Sequence, residues 1–450
     1  MTLKEGPWAP YRPTDKDPWD AAKAAHLHRR AGFGATRAEL ARDVKDGPAA
    51  SVDRFLQPRA LTADEQGILD SLRQGVIDSG DTDRLKAWWL YRVLYDPDPL
   101  REKLTLFWHG HFATSNRKVN SIPLMLAQND TFRRHALGPF AALLSAIVGD
   151  GAMLVWLDGA GSKKEKPNEN FGREFLELFT LGVGHYTEKD IREAARAFTG
   201  WSVEKGAGAF NLNQHDDGAK TFLTQTGAWK APDIVRITLA QPACAEFLCR
   251  KLYRYFVRED QDPEPELLAP LAEELRGHGY DAGHLVGVIL RSRTFYDPAA
   301  RRQRVKSPVE FSAGLLRTLE VPRADVRLLA LALACERQGQ DLFYPPNVKG
   351  WDGGKSWLNS TTLLERGNWC NDVLWGNADF GLKTYDPLAR AKRDGVAPEK
   401  TAEALVELLL QGDVGARARD AVLGAGRPGT ADALRKAAQL IVHCPEYQLA

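Results

Sequence analysis

The segment Pro167–Trp201 constrains the fold more than any other part of the chain, because it carries two amphipathic helix patterns separated by glycines. In the first pattern Phe171, Phe175 and Leu178 recur at the spacing of one helical face. Thr187 opens the second pattern as a predicted N-cap, with an aspartate three positions later. The segment therefore predicts two helices, the first of them buried over much of its circumference.

The polar side of the first helix supplies four candidate catalytic residues, Asn170, Arg173, Glu174 and Glu177. Two carboxylates on a largely buried helix need partners, because burying an unpaired charge is costly. Glu174 and Glu177 can act as a general acid/base pair or bind a metal ion. They can equally form structural ion pairs with arginines of this segment, and both interpretations stay open.

Four residues have the side-chain types and spacing of metal ligands: His109, His111, His215 and Asp216. Two histidines separated by Gly110 share one ion only where the backbone is extended or irregular, since they lie on different sides of a helix. A helix end at Gly110 would allow this, whereas a continuous helix would make them packed histidines. The loop residues His215 and Asp216 also fit ordinary turn chemistry.

Seven further residues are candidate ligand-binding groups. The loop before Pro167 is rich in lysine and leads into a helix N-terminus, which attracts anions. The segment 341–360 is rich in proline, glycine and tryptophan, and it forms either a pocket wall or a loop pinned by aromatic residues. The candidates are Asp158, Lys164, Asn168, Glu169, Lys220, Trp351 and Asn359.

Strand-like alternation is scarce along the chain, so the sequence predicts a mainly α, multi-helix globular protein. A stretch near 202–232 is rich in Gly, Asn, Gln and Asp and predicts a long irregular insertion or a short β-hairpin. We expect one main helical domain over 1–400, with the polar motifs in 106–220 and an internal subdivision near 230–240 as an alternative. A helical tail over 401–450 is expected to pack on it.

Composition excludes several classes of protein. With 44% hydrophobic and 26% charged residues the chain has the composition of a globular protein, and its net charge of +1 gives no electrostatic case for binding nucleic acid. No apolar run is long enough to span a membrane. The first residues lack a signal sequence, so a native N-terminus predicts a cytoplasmic protein.

Several sequence blocks together resemble one bacterial family, the domain of unknown function numbered 1800. They spread over nearly the whole chain, and their combination is specific. The blocks are HLHRRAGFG at 26–34, LFWHGHFATS at 106–115, the segment 167–201, HDDGAKTF at 215–222, KSPVEF at 306–311, GWDGGKSWLNSTTLL at 350–364 and the terminal PEYQL.

The resemblance transfers no established reaction. Members are often encoded beside a second family that resembles alkaline phosphatases and sulfatases, which implies a partner of that kind, and many members are exported. Members also carry asparagines in the loop before the PNEN motif. Here Gly159 and Ser162 stand at those positions, while Asp158 and Lys164 are kept, so a ligand bound by those asparagines would be bound differently.

Two functional hypotheses follow. The first is a metal-assisted hydrolase or transferase that acts on an anionic, phosphorylated or sulfated substrate, with a divalent metal ion as cofactor. The second is a non-enzymatic binding or scaffold protein that works with an alkaline-phosphatase-like or sulfatase-like partner. Nucleotide-binding and nucleophile-elbow motifs are absent from the sequence.

Overall fold

The computed structural model describes Leu3 and residues 5–450, and within these residues the chain is built almost entirely from helices. Several helices begin at capping boxes, among them the one predicted at Thr187. Thr36, Thr187 and Ser307 each accept a hydrogen bond from the backbone three positions later, and the acidic residue at that position bonds back. The prediction of a mainly α protein is confirmed.

The first half of the chain contains eleven α-helices in its described part. They are α1 (Ala21–Ala31), α2 (Arg37–Leu56), α3 (Ala63–Ser79), α4 (Thr82–Tyr95), α5 (Pro99–His111), α6 (Asn116–Val119), α7 (Ile122–His135), α8 (Phe140–Val148), α9 (Gly151–Trp156), α10 (Glu169–Glu174) and α11 (Glu188–Ala197).

A π-helix of six residues, Phe175–Thr180, continues α10 without a break. Its wider hydrogen bonding is visible at the end, where the amide of Leu181 donates to the carbonyl of Leu176 at 2.8 Å. Gly182 then turns the chain with φ of 78°. π-helical turns are rare and occur often at functional sites, so the surface around this segment is a candidate functional site.

The predicted insertion consists of two small antiparallel hairpins. Strand β1 (Trp201–Glu204) pairs with β2 (Ala207–Phe210), with Trp201 opposite Phe210. Strand β3 (Lys220–Phe222) pairs with β4 (Gln225–Gly227). The insertion packs against α9 and α11, which places it beside the segment 167–201.

Thirteen α-helices follow the insertion. They are α12 (Ala231–Leu239), α13 (Pro242–Phe256), α14 (Pro265–Gly277), α15 (Ala282–Arg291), α16 (Arg293–Tyr296), α17 (Pro308–Thr318), α18 (Leu328–Arg337), α19 (Ser360–Trp375), α20 (Pro387–Arg393), α21 (Thr401–Leu410), α22 (Ala416–Gly426), α23 (Ala431–His443) and α24 (Pro445–Gln448).

Two large hydrophobic clusters form the core. One gathers α5, α8, the π-helix, α12, α13 and α15, and the other gathers α4, α17, α18, α19, α21 and α23. A buried ion-pair network joins distant segments between them. Glu310 on α17 accepts hydrogen bonds from Arg304 at 2.7 Å and from the amide of Ser307 at 2.8 Å, and it contacts Lys103 of α5.

Burial alone would raise the pKa of Glu310, but the charges of Arg304 and Lys103 outweigh it and hold that pKa well below its usual range. Lys103 also donates to the carbonyl of Gly32 at 2.8 Å, which ties the end of α1 to the same network. Among the described residues, no helix is both long and apolar enough to cross a bilayer.

Candidate functional site

A cleft of about 250 Å³ opens where the C-terminal half of α5, the end of α13 and the loop 344–357 meet. We call it the central cleft. Its lining comes from five separate segments of the sequence. The lining residues are Leu106, Phe107, Gly110, His111, Lys251, Arg254, Tyr255, Glu259, Arg304, Ser307, Gln340, Lys349, Trp351, Asp352, Gly353 and Trp357.

His111 and Lys251 form a hydrogen-bonded pair at the base of the central cleft. The Lys251 ammonium donates to Nδ1 of His111 at 3.1 Å and to the carbonyl of Leu178 at 3.1 Å. Nε2 of His111 donates to the carbonyl of Phe179 at 3.1 Å. Since lysine has no acceptor, the lone pair of His111 is on Nδ1 and the imidazole is neutral.

The two carbonyls that hold this pair belong to the π-helix. The last carbonyl groups of any helix lack partners within the helix, and here Lys251 and His111 supply them. Each nitrogen of the pair forms a hydrogen bond with a backbone carbonyl or with the other side chain. The pair is therefore stable although it is buried. The segment 167–201 therefore meets α5 and α13 through backbone atoms of Leu178 and Phe179.

In the described residues no carboxylate oxygen lies within ion-pair distance of Lys251, whose partners are a neutral imidazole and a backbone carbonyl. Burial lowers its pKa to about 8, with no neighbouring negative charge to oppose the effect. Its ammonium lies 4.8 Å from the centre of the Phe247 ring. A cation held without a counter-ion beside an open cleft favours an anionic ligand.

The remaining charges of the central cleft are also mainly basic. Arg304 is committed to Glu310, and Arg254 bonds Asp262 at 2.6 Å near the surface. Lys349 is exposed at the mouth of the cleft. The lining has four basic side chains against two acidic ones, Glu259 and Asp352, and of the four cations Lys251 and Lys349 have no ion-pair partner in the described residues.

Two contacts with His109 hold the loop 344–357 against α5. Nε2 of His109 accepts a hydrogen bond from the amide of Phe343 at 3.1 Å, and its ring lies 5.4 Å from that of Trp351. A Cβ at Gly350 would lie 2.4 Å from the carbonyl oxygen of Gly110, and Gly350 has φ of 83°. Only glycine fits this close approach, which seats Lys349 and Trp351 at the cleft.

Glu174 adjoins the mouth of the central cleft through Lys349. Burial raises the pKa of Glu174, the nearby carboxylate of Glu177 raises it further, and the charges of Arg173 and Lys349 oppose both. Glu177 accepts a hydrogen bond from the Tyr186 hydroxyl at 3.0 Å. Among the described residues no donor contributes a hydrogen bond to the Glu174 carboxylate, which leaves it available to a ligand.

None of the four candidate catalytic residues is part of the cleft lining itself. Arg173 forms a bidentate pair with Glu188, with both N–O distances 2.8 Å, on the surface. Asn170 is exposed in the first turn of α10, where its backbone N–H donates to the side-chain oxygen of Asn168 at 2.8 Å. Arg173 is therefore paired with Glu188 and not with Glu174 or Glu177.

The structure does not gather the four candidate metal ligands into one group of ligand atoms within the described residues. Helix α5 is continuous through His111, so the two histidines lie on different sides of it. His109 uses the lone pair of Nε2 for the Phe343 amide, and His111 uses that of Nδ1 for Lys251. Burial lowers the pKa of His109 to about 3 and, with the charge of Lys251, lowers that of His111 well below its usual value.

The segment 215–220 is tied to α11 by its own contacts. Nδ1 of His215 donates to the carbonyl of Thr199 at 3.0 Å, and Arg196 binds the carboxylate of Asp216 at 2.7 Å. Lys220 is buried and donates to the carbonyls of Asp216 and Gly218. These contacts fix the second hairpin on α11.

The other candidate ligand-binding residues are spread over several surfaces. Asn168 caps α10 and donates to the carbonyl of Leu157 at 2.7 Å, and Asp158 pairs with Lys118 at 2.8 Å. Glu169 and Lys164 are exposed. Asn359 caps α19, where it accepts from the amide of Thr362 at 3.0 Å. Trp351 is the member of this group that lines the central cleft.

The sequence interpretation missed all four basic residues of the cleft, Lys251, Arg254, Arg304 and Lys349. A signal for Lys251 is present in the sequence. Lys251 follows Cys244 and Leu248 at i+7 and i+3, so a lysine occupies the edge of the apolar face of a helix. A charge at such a position either snorkels to solvent or serves a site. Lys349 is adjacent to the glycine that seats the loop, which only the structure reveals.

The comparison with known families agrees with this distribution of sequence blocks. The family described as "Protein of unknown function (DUF1800)" matches residues 26–449, nearly the whole chain. The chain belongs to the DUF1800 family. Searches of the curated proteins and of the solved structures found no match.

The DUF1800 blocks separate into two groups in the structure. HLHRRAGFG and KSPVEF build the buried frame: His28 bonds Asp43 at 2.7 Å, and Glu310 anchors the ion-pair network. The terminal PEYQL joins this frame through the carbonyl of Gln448, which accepts from the amide of Lys306 at 2.9 Å. The blocks LFWHGHFATS and GWDGG instead meet at the central cleft, which makes that cleft the candidate functional site of this DUF1800 protein.

Proposed function

We propose that the central cleft binds an anionic substrate, a phosphorylated or sulfated compound, and that the protein acts on it by hydrolysis or group transfer. The observation that carries the proposal is Lys251, a partly buried ammonium without a counter-ion at the base of a cleft lined by four basic and two acidic side chains. Its two hydrogen bonds leave the third N–H for a ligand oxygen.

The neutral His111 orients this group. Because Nε2 of His111 is fixed on the π-helix, its Nδ1 lone pair holds Lys251 in one position. A fixed donor aimed at an anion needs little reorganisation when charge develops on the substrate. Lys349 at the mouth supplies a second, mobile positive charge, and Trp351 gives one wall on which an organic part of the substrate can pack.

Proton transfer falls to Glu174 in this proposal. Its raised pKa keeps part of the population protonated at higher pH than for an ordinary glutamate, as a general acid requires. Glu177 contributes the negative charge that raises this pKa, and its own carboxylate is held by Tyr186. Glu174 is thus open to a ligand, whereas Glu177 already accepts a hydrogen bond.

A metal ion is not assigned to the His109/His111 pair in this proposal. Ligation through Nδ1 of His111 would displace Lys251, and ligation through Nε2 of His109 would break its bond to the Phe343 amide. The anion is held by side-chain cations instead.

The first test measures binding of inorganic phosphate and of inorganic sulfate by calorimetry. The wild type is compared with Lys251→Met, Lys349→Met and a control, Lys189→Met, whose lysine is exposed on α11. We expect binding to the wild type and the control, and a loss of at least about tenfold in affinity for Lys251→Met, which corresponds to about 1.4 kcal/mol. A smaller loss is expected for Lys349→Met because its charge is solvated.

The second test measures hydrolysis of p-nitrophenyl phosphate and p-nitrophenyl sulfate. Glu174→Gln is expected to lower kcat by roughly 10²- to 10⁴-fold while anion binding is retained, as for the loss of a general acid. Unchanged anion affinity in Lys251→Met would overturn the proposed site. Anion binding with no turnover in any variant would instead favour the alternative of a binding protein that serves an alkaline-phosphatase-like or sulfatase-like partner.

A further inference from the structure

Three side chains at the junction of α14 and α15 have the residue types and the proximity of a metal site. They are Glu274 and His278 near the end of α14, and His284 in the first turn of α15. One ligand atom from each lies within 4.8 Å of the other two, and within the described residues this is the one group of three or more such side chains. None of the three lines the central cleft.

The backbone brings these groups together by a rigid turn. Glu274 and His278 are four positions apart, which puts them on one helical face. The chain then reverses through Gly279 and Tyr280, both at positive φ of about 62° and 61°. The Tyr280 hydroxyl is anchored on the carbonyl of Leu239 at 2.6 Å, and Asp281 caps α15 by accepting from the amide of His284 at 2.7 Å.

The hydrogen bonds of the two histidines match those of metal ligands. Nδ1 of His278 lies 3.0 Å from the backbone carbonyl of Glu274 and 3.3 Å from its carboxylate, and a proton donated from Nδ1 to the carbonyl leaves the lone pair on Nε2. Histidines that bind metals commonly donate their other N–H to such an oxygen. Nε2 of His284 lies 2.6 Å from the Glu274 carboxylate, in the position where an ion can replace the shared proton.

The two imidazole rings are stacked, with centroids 3.8 Å apart and planes within 16°. The side chains are 23% exposed at Glu274, 36% at His284 and 49% at His278, so an ion can reach them without unfolding.

We propose that Glu274, His278 and His284 bind a divalent transition metal ion, with zinc the best fit to a two-histidine, one-carboxylate set. Tetrahedral zinc with bonds of about 2.0–2.1 Å places ligand atoms roughly 3.4 Å apart. The present separations need only side-chain rotations to reach that value. The fourth position faces solvent and holds water, and the bound ion joins the end of α14 to the start of α15.

The test uses tag-free, chelator-treated protein titrated with Co²⁺, followed by visible absorption, and with Zn²⁺ in competition with a chromophoric chelator. We expect one equivalent of metal and a rise of the melting temperature with zinc. His278→Ala, which removes an exposed side chain, and Glu274→Gln should each weaken binding by at least about tenfold and abolish the thermal shift. His185→Ala, an exposed histidine elsewhere, should bind as the wild type does.

Either of two results would overturn the proposal: no stoichiometric binding to the wild type, or full binding retained in His278→Ala and Glu274→Gln. Circular dichroism of the metal-free variants separates loss of a ligand from loss of the fold. Because the expected readouts are cobalt absorption and melting temperature, the outcome does not depend on whether the central cleft binds anions.

Discussion

Replacing Lys251 with methionine removes the ammonium group at the base of the central cleft and keeps a side chain of similar length. Burial lowers the pKa of this lysine from 10.5 to about 8. The difference corresponds to a destabilisation of the folded state by about 3 kcal/mol when the lysine is charged. This value is an upper bound, because Lys251 is only partly buried. Below pH 8 this cost acts in full, because the lysine is protonated in both states.

The substitution also removes two hydrogen bonds, to Nδ1 of His111 and to the carbonyl of Leu178. Each is worth about 1 kcal/mol, so the loss is about 2 kcal/mol. Near pH 7 the variant should therefore be more stable than the wild type by about 1 kcal/mol. A functional lysine is expected to show this sign, since a site poised for a ligand is destabilised without it.

The pH dependence gives the sharper test. Between about pH 8 and pH 10.5 the unfolded wild type binds one more proton than the folded form, so wild-type stability rises with pH by about 1.4 kcal/mol per pH unit from this residue. Near pH 9.5 the wild type should have gained about 2 kcal/mol relative to Lys251→Met, which makes the variant the less stable protein. The sign of the difference therefore reverses between these two conditions.

The assay is chemical denaturation followed by circular dichroism at about pH 7 and about pH 9.5, with Lys189→Met as the control for a change of net charge. Both variants lose one positive charge, so a pH effect common to both is not due to burial. A difference between Lys251→Met and the wild type that stays constant across this pH range would refute the reasoning, because it would mean that Lys251 titrates as an ordinary solvated lysine.

Three further predictions concern the frame that supports the site. Glu310→Ala should destabilise the protein by about 3–5 kcal/mol in thermal denaturation, because it leaves Arg304 buried without a partner. His109→Leu should cost about 1–3 kcal/mol from the unsatisfied Phe343 amide, and added zinc should not alter the cost. Gly350→Ala should weaken anion binding measured by calorimetry, because its methyl group would collide with a carbonyl of α5 and unseat the loop; unchanged affinity would contradict this loop geometry.

The helical fold was predictable because its signals are local. The capping box at Thr187 depends on a few neighbouring residues, and it stands where expected. The π-helix was not predictable in this way. Its wider hydrogen bonding is disfavoured locally and depends on tertiary partners, here the Lys251 and His111 side chains that bind its last carbonyls.

The central cleft was harder to predict because its groups come from sequence positions far apart. His111 and Trp351 were singled out from their motifs, but nothing local shows that Lys251 lies between them. The expectation of an HxH metal pair depended on where α5 ends. The helix continues through His111, and each ring then has a partner that only the tertiary structure supplies.

The polar residues that attract attention in the sequence are best separated by whether the fold already satisfies them. Asp216 has Arg196, Arg173 has Glu188, and Glu310 has two cations, so their charges are accounted for by the frame. Lys251 has only neutral partners, and no donor in the described residues bonds Glu174. Each polar group left without such a partner lowers the stability of the folded protein. Lys251 and Glu174 are two such groups beside one cleft, so they favour a ligand that contacts both the ammonium and the carboxyl group.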